Sequence, residues 1–297
     1  MTERFVDLSE TPVHLGTRGA LLVIHSGGGG GAETTIPLAE ISAVVASHPA
    51  VTLTLASLAR LAEAGVPLVV CDGHRMPAAM MLPLEGHCTQ AERFQYQVNA
   101  SLPLRKRLWH DIVRAKVCAQ GSLLQRLRGD DGGLGALAER ILSGDARNVE
   151  GQAARRYWPL LFGEGFTRRR DGEDQNRFLN YGYSVLRAAV SRALCASGLH
   201  PSLGLHHHNR YDAFRLADDL MEPLRPMVDE AVAGLVQQVG ASAPLDPTTK
   251  PALLAILSKR VKVGRETRSL PDALGRYASS LADVFHGQRR SLLIPEV

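Results

Sequence analysis

A chain of 297 residues, 45% of them hydrophobic, is long enough for about two domains with ordinary cores. Nothing at its start (MTERFVDLSE) resembles a basic, apolar leader, and no apolar run approaches the ~18 to 20 residues that cross a bilayer; a cytoplasmic location with no membrane partner is expected. The formal net charge of +4 is unevenly divided, −4 over residues 1–90 and +8 over the rest, which fits either a polyanion partner for the second part or a solvated mixed-charge helical surface.

Taken in chain order, Ala20 to His25, Ala50 to Leu55 and Val66 to Cys71 are β-branched runs bounded by Gly, Pro or Asp, and they predict strands. The SGGGGGAE stretch after His25 lacks the GK[ST] of a phosphate loop and leads into TTIPL, so it predicts a flexible hairpin loop. Ser57 to Gly65 predicts a short helix, capped by Ser57 and stopped at Gly65.

From about residue 91 the period becomes helical. Leu108 to Leu127 puts Leu108, Ile112, Ala115 and Ala119 on one stripe and turns Arg114 and Lys116 away from it. Gly129 to Arg140 has a GxGxxA-like spacing with no strand before it, and is expected to be an inter-helix loop. Phe178 to Gly198 is a second amphipathic helix. Cys71, Cys88, Cys118 and Cys195 are too far apart for a zinc or redox pair and are expected to be reduced thiols, most of them in the core. The fold class that follows is α+β: a small β-rich domain over 1–90 and a larger all-α domain over 91–297.

Chemistry is expected in the helical part. In DARNVEGQAARRYW, Asp145 can cap a helix that carries Glu150 on its first turns beside Gly151, Ala153 and Ala154; the alternative is a solvated Glu150 paired with Arg147 or Arg155. In GLHHHNRYDAFRLADDLMEPLRP an extended backbone points His206 and His208 to one side and His207 to the other, so one histidine, not three, is the expected ligand. Asp219 and Glu222, three apart on a helix, share a face, although Pro223 can start or kink a helix there. Two carboxylates and one imidazole suit Mg²⁺ or Mn²⁺, with water and phosphate oxygens completing the shell.

In order and spacing, DARNVEGQAARRYW, NRFLNYGYSVLRAAVSRAL, SGLHPSLGLHHHN and FRLADDLMEPLRPMVDEAV resemble the CRISPR-associated adaptation integrase, an endonuclease family, and its type II variant above all. The resemblance runs from Trp109 to Glu230, and the strands ending in GVPLVVCDGHRMPAAMMLPL resemble the family's N-terminal domain. It implies a β-rich domain 1–90 that forms a homodimer and an α-helical domain 91–297 that binds Mg²⁺ or Mn²⁺ through Glu150, His207 and Glu222. His206 and Asp219 are the substitute or supporting residues. It further implies action on double-stranded DNA, with a small dimeric adaptation partner protein in a heterohexamer, joining captured 3′-hydroxyl ends to phosphodiesters of a repeat array.

For the DNA path, Lys259, Arg260, Lys262 and Arg265 form the densest basic cluster, Arg168 to Arg170 another, and either reads equally as a solvated loop. Tyr181, next to Asn180, can stack on a DNA end or pack inside the helical domain. The competing functional class is a non-catalytic DNA-binding assembly subunit whose acids and histidines are structural.

Overall fold

The computed structural model describes residues 4–26, 32–73, 77–169 and 172–297. The N-terminal region holds β1 (Arg4–Leu8), β2 (Val13–Arg18), β3 (Leu21–Ser26), β4 (Glu33–Pro37), β5 (Ile41–Ala46), β6 (Thr52–Leu53), α1 (Leu55–Glu63), β7 (Leu68–Cys71) and β8 (Pro77–Met81). They form two four-stranded sheets, ordered β4-β3-β2-β6 and β1-β5-β7-β8. In the second sheet β1, β5 and β7 run parallel, and β8 returns antiparallel to β7. Leu15 and Leu22 of one sheet, Ile41, Val44 and Leu68 of the other, and Leu61 of α1 close a common apolar core.

Two local expectations shift. The Ala50 to Leu55 run yields only the two residues of β6, because Leu55 already opens α1. Its cap is Thr54, which accepts from the Ser57 amide at 3.1 Å; Ser57 is turned inward, its hydroxyl donating to the Leu15 carbonyl. The expected hairpin joins β3 and β4, which pair antiparallel, while the glycines Gly27 to Gly31 lie outside the described residues.

The rest of the chain is mainly helical: α2 (Gln90–Val98), α3 (Leu102–Arg128), α4 (Leu134–Ala138), α5 (Val149–Phe162), α6 (Asn176–Ala196), α7 (Arg215–Met221), α8 (Arg225–Val239) and α9 (Lys250–Leu254), then β9 (Arg260–Val263), β10 (Glu266–Ser269) and α10 (Leu270–Phe285). The 129–140 stretch is therefore not all loop, since it contains the single turn of α4. Nor is the 91–297 part all helix. β9 and β10 form an antiparallel hairpin, because RVKV alternates and buries Val261 and Val263 while Gly264, at φ 61°, makes the turn.

α3 and α6 carry the core of the helical part, with Trp109, Ile112, Val117, Phe178 and Leu186 all buried. The buried face of α3 is rotated from the expected stripe: Ala115 and Ala119 are only half-buried, whereas Val113, Lys116 and Gln120 are inside. All four cysteines are free, but only Cys195 is buried; Cys71 is half-buried, and Cys88 and Cys118 are exposed. No described helix is long and apolar enough to cross a membrane.

The two parts are held along α6 and at the start of α9. Val45 and Val69 pack on Ala188, Arg192 Nε donates to the Gly65 carbonyl at 3.1 Å, and the fully buried Lys250 Nζ lies 3.0 Å from Ser47 Oγ. Gly86 lies against the end of α6, where a Cβ would stand 2.2 Å from the Cys195 carbonyl oxygen. Gly86→Ala is accordingly expected to lower stability by about 1–3 kcal/mol, measured by urea unfolding.

Candidate active site

Three segments converge on α3. The first is the start of α5, whose unpaired amides are satisfied twice over. Asn148, left-handed at φ 50°, accepts from the Gly151 amide at 3.1 Å, while Asp145 accepts from the Val149 and Glu150 amides at 2.8 and 3.0 Å. Asp145 thus shares the expected capping role with Asn148. Glu150 is held on the first turn, its carboxylate directed at α3 rather than at Arg147 or Arg155.

The second segment is the junction of α7 and α8. Glu222 lies in a tight turn with Pro223, and its side chain is only 3% exposed. Lys116 of α3 stands between the two acids, its Nζ 2.5 Å from Glu150 Oε1 and 2.6 Å from Glu222 Oε2. Arg225 Nη2 lies 2.9 Å from the other Glu222 oxygen. Burial opposes the Lys116 ammonium, but the Glu222 and Glu150 carboxylates outweigh it and hold its pKa above the usual lysine value. Burial likewise pushes Glu222 upward, and Arg225 and Lys116 together overcome it, leaving Glu222 below its ordinary range.

The third segment carries the histidines. Asp219, fully buried, accepts from the backbone amides of Leu205, His206 and His207 at 2.6, 3.1 and 3.3 Å, and its Oδ1 lies 2.6 Å from His207 Nδ1. A carboxylate at Nδ1 fixes the ring and leaves Nε2 as the atom that can bind a cation. That hydrogen bond to Asp219, acting against burial, raises the His207 pKa. His206 is committed elsewhere, stacked on Trp109 with centroids 4.3 Å apart and planes within 2°, and burial lowers its pKa. Trp109 also meets the edge of the His207 ring at 5.7 Å.

Glu150, Glu222 and His207 are therefore brought to one region, with Asp219 and Trp109 as supports. Asp219 and Glu222, expected on one face, diverge: one organises the histidine loop and the other turns toward Lys116. Among the described residues no three His, Cys, Asp or Glu side chains already stand close enough to share an ion. The donors suit a hard divalent cation in kind, two carboxylates already focused on one positive charge and one oriented imidazole.

Behind Glu222 lies a polar cavity of about 240 Å³ lined by Arg168, Asn180, Tyr183, Ser184, Arg187, Met221 and Arg225. Arg187 forms a two-point pair with Asp218 at 2.7 and 3.0 Å, and Arg168 and Arg225 lie over the Tyr183 ring at 5.3 and 4.7 Å. Asn180, partly exposed, accepts from Arg168 at 2.6 Å. Tyr181 is fully buried with its ring 5.3 Å from Lys250 Nζ, so it packs inside the protein and offers no face to a base.

The basic cluster of β9 and β10 is largely engaged. Lys259 pairs with Glu230 and Lys262 with Glu296, at 2.6 and 2.8 Å, Arg260 donates to the Thr267 carbonyl, and Arg265 is exposed at the turn. Arg170 lies outside the described residues. Lys116, Arg225 and the arginine-lined cavity went unseen in the sequence. For Lys116 a signal existed, since Leu108, Ile112 and Lys116 repeat at four-residue steps.

The fold is shared with solved structures. It superposes on a casposase bound to integration product with a TM-score of 0.80 at 21% identity, over 99% of this chain and 94% of that one. On a Cas1 protein from Thermotoga maritima the TM-score is 0.78 at 17% identity, over 97% and 99% of the two chains. The family itself is fixed by sequence. Residues 8–243 match the family of CRISPR associated protein Cas1, and the CRISPR-associated endonuclease Cas1 of Neisseria meningitidis is 37% identical over 90% of this chain and 88% of its own. The chain belongs to the Cas1 family.

Deep in the same region, Asp229 accepts from Tyr157 Oη at 2.7 Å and from Tyr183 Oη. Burial pushes its carboxyl up to about 6 against an ordinary 3.8, even though the two phenols work the other way. A raised folded-state pKa means that the folded chain holds this proton more tightly, so Asp229 removes stability as pH climbs from 3.8 to about 6. Asp229→Asn is expected to lack that contribution: its melting temperature relative to wild type should rise with pH between about 4 and 6 and then level off, read by differential scanning calorimetry.

Proposed function

We propose that this protein is a divalent-metal-dependent DNA endonuclease and integrase of CRISPR spacer acquisition, joining 3′-hydroxyl ends of captured DNA to phosphodiesters of the repeat array. The observation that carries the reading is the focusing of Glu150 and Glu222 on one cationic point beside His207, whose ring is fixed by Asp219. The Neisseria relative's endonuclease name and the casposase's integration product point the same way.

Glu150, His207 through Nε2, and Glu222 would hold Mg²⁺ or Mn²⁺. Such an ion lowers the pKa of an attacking hydroxyl and neutralises charge that builds on the phosphorus oxygens. The chain's own part is positional. Asp219 keeps the imidazole oriented, Trp109 packs behind the histidine loop, and Arg225 with its neighbours in the arginine-lined cavity presents positive charge to a DNA phosphate. In the transfer, the incoming 3′-oxygen forms a bond to phosphorus as the repeat's phosphodiester oxygen leaves. The hydroxyl proton is given up and the leaving oxygen takes one, so no nucleotide is consumed.

Double-stranded DNA is the substrate in this reading, and a homodimer working with a small dimeric partner in a heterohexamer is the assembly. A solved Cas6-RT-Cas1–Cas2 complex contains a chain of this fold, with a TM-score of 0.75 at 18% identity over 97% of this chain and 35% of that one. The proposed division is a dimerising β-rich domain over 1–90 and a catalytic domain over 91–297, in the cytoplasm.

Lys116 also favours a second reading, a non-catalytic assembly subunit in which Glu150, Lys116 and Glu222 form a structural triad. Strand transfer of a short duplex into a plasmid bearing a repeat, with the partner protein present, separates the two. Glu150→Ala, His207→Ala and Glu222→Ala are each expected to reduce transfer to the EDTA background while DNA binding persists, and Asp219→Asn to lower it about 10–100-fold. Transfer that declines only in proportion to folded protein would favour the structural triad.

A further inference from the structure

We propose that Lys116 is a resident counter-ion which a divalent cation must displace from between Glu150 and Glu222, so that this lysine sets the threshold for metal binding. The inference rests on Glu150, His207 and Glu222 being the ligands and extends that reading to a residue that ligates nothing.

Two carboxylates on separate elements repel each other as they are brought together inside a protein. Here one ammonium touches both, at 2.5 and 2.6 Å, and so keeps them converged. Between the two acids stands a single positive charge, since the second, from Arg225, reaches only the outer oxygen of Glu222. A doubly charged ion in the same place would compensate the pair more fully, and the ammonium sits at the end of a flexible four-carbon stem, free to yield. Access is asymmetric as well. The Lys116 and Glu222 side chains are 10% and 3% exposed, whereas Glu150 is 25% exposed, so an incoming ion meets Glu150 first.

Because only the fraction of molecules with Lys116 withdrawn can accept the ion, the lysine weakens apparent affinity by that fraction. It simultaneously stabilises the metal-free fold. These two effects have opposite signs, and that separates a displaceable counter-ion from an ordinary structural lysine.

The test is Mn²⁺ binding to the full chain, followed by electron paramagnetic resonance of free Mn²⁺ and by the thermal shift between EDTA and Mn²⁺. Lys116→Met is expected to melt lower than wild type in EDTA, bind Mn²⁺ at least about tenfold more tightly, and show a larger Mn²⁺-induced rise in melting temperature. Lys116→Arg retains the charge and should stay within about threefold of wild-type affinity. If Lys116→Met does not fold in EDTA, Lys116→Gln, which keeps a hydrogen-bond donor near the acids, is expected to show the same tightening. Affinity in the Met or Gln variant that equals or falls below wild type, while His207→Ala abolishes binding, overturns the counter-ion role and leaves the ligand assignment standing. Wild-type binding indifferent to His207→Ala and Glu150→Gln would overturn both.

Discussion

Lys116 ties together, at one charged point, three parts of the chain that also share one apolar core. Its ammonium draws the start of α5 and the α7–α8 junction onto α3, across 34 and 106 residues of sequence. Removing one member of a fully buried ion group costs about 3–5 kcal/mol where the remaining charge has no partner; here Arg225 stays on Glu222 and Glu150 keeps access to water, which softens the loss. Everything else in the site is arranged around that point. Asn148 and Asp145 fix where α5 begins, Arg225 compensates the outer oxygen of Glu222, and Asp219 ties the histidine loop to α7.

A chain of charges extends inward from this centre. Glu222 leads to Arg225, Arg225 lies over Tyr183, and Tyr183 and Tyr157 share Asp229. Burying so many ionisable groups is unfavourable unless each is paired, and here each link is paired. The arrangement is costly as a purely structural device, since well-packed apolar residues of similar volume commonly serve as well or better. Beside an oriented imidazole and an arginine-lined cavity, it offers what the proposed phosphoryl chemistry would need: focused negative charge for a cation, and positive charge for a phosphate.

Much of this was readable from sequence, and the rest failed for identifiable reasons. Strand runs such as Val66 to Cys71 and the helix beginning near Phe178 follow from local periodicity. Glu150, His207 and Glu222 are singled out by the family resemblance, and the structure brings the two acids onto one ammonium. The burial of Lys116 had a signal in its four-residue step from Leu108 and Ile112, but its charge argues for solvent and its partners are set by tertiary contacts. The resemblance implies Asp219 as a substitute or supporting residue, but its hold on three consecutive backbone amides depends on how the 205–207 loop folds back. The β9–β10 hairpin was missed because its charges hid a two-residue alternation of valines. Thr54 displaced Ser57 as a cap since Ser57 is needed against the Leu15 carbonyl.

The most direct test of the central claim is the position of Mn²⁺ in crystals of the protein, located by anomalous scattering. The account predicts one strong peak bonded by Glu150, Glu222 and His207 Nε2, with the Lys116 ammonium withdrawn from between the two acids. A peak elsewhere, or Lys116 still bridging Glu150 and Glu222 at saturating Mn²⁺, would contradict it.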